Sequence, residues 1–321
     1  NEGGSGAEDL GFINTGSTFG SAVGGYLEIG NDATSPGQTM QINSSFPIGG
    51  IKLNSSNATG QLLTNNLIVS GNVELNAGIF ESNNLNINIA GNWASNGAIF
   101  SPGNALTTFD GSNIQSISGT ALAESFNDIT VNSGSTVNIG SGFIVSVTNV
   151  LINEGALDND GIVDFFNGYV GQTGTLSGGG THRLSGGDWD NSTGNFIPES
   201  STVEMTGSSS VQTLRGNTTY NNLTINNSFG VIIATDSHNI ANTLTLSDGL
   251  FSTNDALTLL SSASGTGRIA EITGGSVSGN IVAQQYISGN DNWRLLSSPV
   301  EGTTLADWSN EFWMSGFIGS T

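Results

Sequence analysis

The sequence predicts an all-β fold: a right-handed parallel β-helix, or solenoid, followed by the start of a second β domain. Three observations predict it. Short alternations of apolar and polar residues recur along the chain, separated by Gly, Asn and Ser. A unit of about 95 residues is written more than once. Asn-Gly hairpin signals are sparse, Asn96-Gly97 and Asn167-Gly168 being the main instances, which favours coils over a row of antiparallel sandwiches.

The alternation comes first because it sets local structure. Segments such as Ile129–Val131, Val137–Ile139 and Leu244–Leu246 send successive side chains to opposite faces. Ile, Val, Leu and Phe dominate between the turn residues, and the 47 Gly, with Asn and Ser, gather where corners need positive φ or side-chain bonds to the backbone. Asn recurs at similar places beside the strands, which suits stacked amide ladders.

The repeat sets the organisation. "GNWASNGAIFSPGNALTTFDGSNIQSISG" (91–119) answers "GDWDNSTGNFIPESSTVEMTGSSSVQTLRG" (187–216): Trp93 matches Trp189, Phe100 Phe196, Pro102 Pro198, Gly111 Gly207 and Gln115 Gln212. "FNDITVNSGSTVNI" (126–139) then answers "YNNLTINNSFGVII" (220–233). "NVELNAGIFESNNLNI" (72–87) is an earlier echo of "TLTLSDGLFSTNDALTL" (243–259). Residues 1–92 therefore read as a partial first repeat, 93–188 as the second, 189–263 as the third, and 264–321 as transition strands opening into a C-terminal β domain. At roughly 20–25 residues per coil and ~4.8 Å per coil, residues 1–263 make a rod on the order of 50–60 Å long.

Composition excludes several functions. Five basic residues face 26 acidic ones, a net charge of -21, which argues against a nucleic-acid partner and against an anionic membrane surface. No apolar run is long enough for a transmembrane helix, so membrane insertion is not expected. The absence of Cys excludes disulfides and thiolate metal sites. Beginning at Asn1, the chain reads as a processed or excised piece of something longer.

The candidate chemistry is thin. Asp158/Asp160 and Asp188/Asp190 are D-x-D pairs whose members alternation puts on one face. Asp158 and Asp160 are candidate Ca²⁺ ligands, set against an Asp/Asn/Gly corner with no metal. The two pairs would also suit the general acid and base of a polysaccharide hydrolase. A lyase would need clustered cations, and His182-Arg183 is the one adjacent basic pair. His182 and His238 lie 56 residues apart without ligand spacing, and read as core or surface histidines. Trp93 and Trp189 read as packing or capping residues, with sugar stacking as the alternative. No cofactor is expected apart from calcium.

The tail carries a family resemblance. "SVSGNIVAQQYISGNDNWRLLSSPVEGTTLADW", with Tyr286 and the Trp293-Arg294-Leu295-Leu296-Ser297-Ser298-Pro299-Val300 core, resembles the segment that follows Gly/Asn/Ser-rich repeats in large surface proteins exported by type IX secretion in the Bacteroidota. The repeat stretch "FNDITVNSGSTVNI" is similar to that family's repeats. The resemblance implies an extracellular or cell-surface, modular, adhesin-like protein. Its implied partners are glycans or neighbouring surface proteins, self-assembly into a filament, and the type IX machinery through a C-terminal sorting domain that these 321 residues do not include. The expected function is a non-enzymatic structural or adhesive stalk module or filament subunit. A polysaccharide-degrading β-helix enzyme and a Ca²⁺-stabilised carbohydrate-binding module are the alternatives.

Overall fold

The computed structural model describes residues 10–15 and 25–286. The described residues hold strands and no helix, wound as a β-solenoid of about 13 turns. Between turns every strand pairing is parallel; the one antiparallel pair is the small hairpin Ser261–Ser262 with Gly265–Thr266. Partners on successive turns lie mostly 20 to 22 residues apart, as in Ile79↔Ile99 and Ile117↔Ile139. Such a spacing leaves room for three short strands and three corners per turn, and three faces are what the chain builds.

Face 1 stacks Ile51, Val73, Trp93, Ile117 and Ile139 in register. Face 2 stacks Val145, Val163, His182, Val203, Leu223 and Leu244. Face 3 stacks Val69, Ile89, Phe109 and Val131, and further along Tyr169, Trp189, Leu214 and Ile233. Long strands bend round corners, often at a register shift: Val73–Glu81 and Ala123–Val131 serve two faces, and His238–Ser252 serves all three. The inward residues of all three faces meet in one apolar core running the length of the described solenoid. Each turn alone would leave that surface wet, so stability comes from stacking.

The corners show why Asn and Gly recur. Asn96 Nδ2 donates to Asn76 Oδ1 (2.8 Å), Asn76 Nδ2 to Asn54 Oδ1 (2.6 Å) and Asn54 to Glu28, while Thr120 N donates to Asn96 Oδ1 (3.0 Å). This is the amide ladder expected from sequence. On the corner between faces 3 and 1, Gly49, Gly71 and Gly91 stack so closely that a Cβ on Gly91 would lie 2.3 Å from the Gly71 carbonyl. The twin phrases build twin turns. Ser82-Asn83-Asn84 and Thr253-Asn254-Asp255 each bury the hydroxyl residue and place the next two in the left-handed region, at φ 54° and 63° in one and 49° and 62° in the other. Asn and Asp tolerate that region, and the buried Ser82 and Thr253 hydroxyls accept from the Asn84 and Asp255 amides at 3.2 and 3.4 Å.

The solenoid does not stop at Ala263. Beyond the hairpin, Arg268 pairs with Thr243, Val277 with Phe251 and Ile281 with Leu257, all parallel. The strands through Ala283 therefore add to the same stack. The Trp-Arg-Leu-Leu-Ser-Ser-Pro-Val segment and the proposed C-terminal domain lie outside the described residues. Among the described residues no helix is long and apolar enough to cross a membrane.

Candidate functional site

The residues singled out by the repeat turn out to be interior. Trp93 and Trp189 are each 0% exposed. That agrees with the packing reading and corrects its alternative, ligand-stacking platforms at Trp93 and Trp189: a sugar cannot reach a ring enclosed by the sheets on which it stacks. Trp93 meets Phe100 and Phe126 at centroid distances of 4.8 and 5.1 Å, and Trp189 meets Phe196 and Tyr220 at 5.0 and 6.0 Å. Position by position, the same aromatic trio is built twice. The indole Nε1 donates to Ser95 Oγ (3.1 Å) and Glu124 Oε2 (3.2 Å) in the second repeat, and to Thr218 Oγ1 (3.4 Å) in the third.

A second recurring device is a buried glutamine. Gln115 Oε1 accepts from Gly111 N (2.8 Å), while its Nε2 donates to the carbonyls of Ile89 (2.9 Å) and Gly91 (2.6 Å) on the preceding turn. Gln212 does the same with Gly207 N (2.8 Å), Leu184 O (3.1 Å) and Gly187 O (2.8 Å). Each glutamine supplies hydrogen bonds that an outward loop, 111–114 or 207–211, would otherwise leave unmade inside the fold. The matched Gly and Gln were visible in the sequence; their clasp was not.

Asp158 and Asp160 both face outward, flanking the buried Asn159. Asp160 Oδ1 accepts from Gly179 N (3.1 Å), a corner bond to the next turn. Burial, and then the neighbouring Asp160 carboxylate, hold Asp158 above the usual carboxylate range. Among the described residues no group of three or more His, Cys, Asp or Glu is placed to share a metal ion. Two carboxylates fall well short of the six to eight oxygens that calcium takes, so the described residues do not by themselves complete a Ca²⁺ site at Asp158 and Asp160. Asp188 and Asp190 are likewise engaged: Asp188 Oδ1 accepts from Thr213 N (2.8 Å) and its Oδ2 lies 3.7 Å from Arg215, while Asp190 Oδ1 accepts from Ser192 N (2.9 Å).

The outer faces carry the charge. Glu28, Lys52 and Glu74 occupy successive rungs of face 1, with Lys52 Nζ 3.3 Å from Glu74. Asp164, Arg183 and Glu204 do so on face 2, with Arg183 3.0 Å from Glu204 and 4.0 Å from Asp164. A cation between two acids relieves the repulsion that in-register stacking would impose on a like-charged column, though a pair as open to water as Lys52–Glu74 contributes only about 0–1 kcal/mol.

His182 and His238 are core residues, each 0% exposed. Burial holds His182 down to about 3 and His238 down to about 4, with Asp236 partly opposing the shift at His238. Both are therefore neutral at pH 7.

No known family model matches the chain, and comparison with curated proteins and with solved structures finds no match.

Proposed function

We propose that this chain is a non-enzymatic stalk module of a secreted cell-surface protein, or a subunit of an extracellular filament, acting mechanically. The observation that supports the reading is the uninterrupted stacking: about 13 parallel turns share one core and are tied at the corners by amide ladders. A load along the axis is then shared by ladder hydrogen bonds in every turn, and no turn can leave without exposing the core surface of its neighbours. The outer faces, polar and strongly acidic, would carry glycan or neighbouring-chain contacts and discourage edge pairing. The tail's resemblance to exported surface proteins supports an extracellular setting.

Single-molecule stretching between the chain ends at pH 7 tests this. The stalk reading expects discrete unfolding events, with length gains in multiples of one 20-residue coil, about 70 Å. A featureless extension like that of a flexible linker would contradict it. The rival from enzymology is tested by incubation with pectin-like and alginate-like polymers, where sustained product release would overturn the proposal.

A further inference from the structure

The two histidines have a place in the fold that the mechanical role does not use. His182 sits in the face 2 stack between Val163 and Val203. Its Nδ1 lies 3.3 Å from the Asn159 amide nitrogen, which also donates to Thr181 O (2.9 Å), so the imidazole accepts there and its proton sits on Nε2. That Nε2 is buried and has no partner. His238 repeats the arrangement. Its Nδ1 lies 3.1 Å from the Tyr220 hydroxyl, its ring stacks on Tyr220 at 5.8 Å and 10°, and its Nε2 is also buried without a partner. Burial keeps the Tyr220 phenol protonated, so this contact is a neutral hydrogen bond and supplies no negative charge to an imidazolium. The two imidazoles are joined through the core by aromatic contacts, His182 to Phe196 (5.5 Å), Phe196 to Tyr220 (6.4 Å) and Tyr220 to His238.

We propose that the solenoid contains an acid-triggered opening centred on His182 and His238, which loosens the turns from His182 to Leu246 and leaves the earlier turns of the second repeat closed. Its use as a regulator rests on the stalk reading above; the opening itself does not. A proton added to either imidazole is a charge in the core next to an Nε2–H that meets no acceptor. The charged groups around them do not cancel it. Near His182, Asp164, Arg183 and Glu204 lie on the outward side of the same three strands and are already paired with one another, and Asp160 is bonded at its corner. Near His238, Asp236 precedes it on its own segment, and Asp255, before the strand that holds Leu257, is bonded to Asn280 N (2.5 Å).

The sign follows from where the proton goes. Each histidine has a folded pKa below its ordinary value of ~6.5, so between pH 6.5 and the folded value the opened state binds more protons and opening is favoured as pH falls. At pH 5 the opening equilibrium shifts about 30-fold per histidine, or about 1,000-fold if one opening exposes both. The earlier turns of the second repeat have the opposite sign. Burial raises Asp110, Glu124 and Asp158 above the carboxylate range, so protonating them relieves a cost and acid favours the closed state there.

Peptide-resolved hydrogen exchange on the full chain at pH 7 and pH 5, corrected for intrinsic rates, tests this. Protection of 202–205 and 238–246 should fall by 30- to 1,000-fold, while 73–95 and 115–139 hold or gain. His182→Gln and His238→Gln should each remove about 30-fold of that response. If a variant does not fold, NMR titration of the wild-type imidazoles decides, with titration near pH 6.5 in the folded state overturning the proposal. Equal loss of protection in the turns before and after His182, or an acid response that survives the double substitution, would also overturn it. Neither result bears on the stretching experiment at pH 7, so the stalk reading stands or falls separately.

Discussion

The second and third repeats share a sequence pattern but not an orientation. Four turns after Trp93 its face is occupied by Leu176, and Trp189 comes two faces later. The sequence period is thus four and two-thirds turns, and equivalent residues appear a third of a turn out of phase. Trp93 stacks on face 1 with Val73 and Ile117, Trp189 on face 3 with Tyr169 and Leu214. Gln115 opens a face 1 strand and Gln212 a face 3 strand, yet they make the same bonds. The three faces are thus near-equivalent environments. A corner and an aromatic trio tuned for one can be copied onto another, because each needs only a neighbouring turn above and below.

The sharpest test of that equivalence is to delete the trio's centre in each copy. Trp93→Ala and Trp189→Ala should each cost about 3–5 kcal/mol by urea unfolding, since each removes a fully buried indole from a stack. A cost near zero for one of them would break the equivalence.

A smaller effect is expected at the clasps. Gln115→Leu and Gln212→Leu each leave one backbone amide and two carbonyls without their side-chain partner, and Gln212→Leu also removes the acceptor of Asn227 Nδ2 (3.0 Å), at a cost of about 2–4 kcal/mol. Hydrogen exchange should quicken at 111–115 in one variant and 207–212 in the other. Loss of protection along the whole chain instead would mean that the clasp supports more than its loop.

The smallest effect probes where the copies differ. Glu124 in the second repeat stands where the third has Thr218, and both accept from the tryptophan indole. Glu124→Thr imports the third repeat's solution and should change stability by about 1–2 kcal/mol at most at neutral pH. Because burial raises the Glu124 pKa, the variant should gain on the wild type as pH rises and lose that advantage as pH falls toward 4.5. A stability difference flat across pH 5–8 would show that burial does not raise the Glu124 pKa.

Much of this fold was legible in the sequence. Alternation disclosed the strands, and Asn at a spacing of about 20 disclosed the ladders, since Asn54, Asn76 and Asn96 do bond in file. Other features need the coil length to be known first. Trp93 sits 20 residues after Val73 and takes its place in the core, but a lone Trp in a short alternating segment looks the same in sequence whether it points in or out. The third-of-a-turn offset is hidden for the same reason, because a unit of about 95 residues says nothing of phase until divided by turns. Ala263 looked like a boundary because the pattern changes register after it and three of the five Trp follow; the hairpin at 261–266 interrupts the alternation, and the parallel register resumes after it. The acid-sensitive pair was the least legible: nothing at 182 or 238 distinguishes a core histidine from a surface one until Asn159 and Tyr220 are seen beside them.

All of this depends on neighbouring turns pairing in register, and the absence of cysteine allows a clean measurement. Thr181 and Thr202 are register partners on adjacent turns of face 2, about 4.8 Å apart along the stack, whereas Asn222 lies one turn further. Under mild oxidation the Thr181→Cys/Thr202→Cys chain should form an intramolecular disulfide and keep its melting transition, while Thr181→Cys/Asn222→Cys, at about twice the spacing and beyond disulfide reach, should remain reduced. A 181–222 crosslink, or a 181–202 pair that stays reduced in the folded chain, would contradict the stacked-turn account.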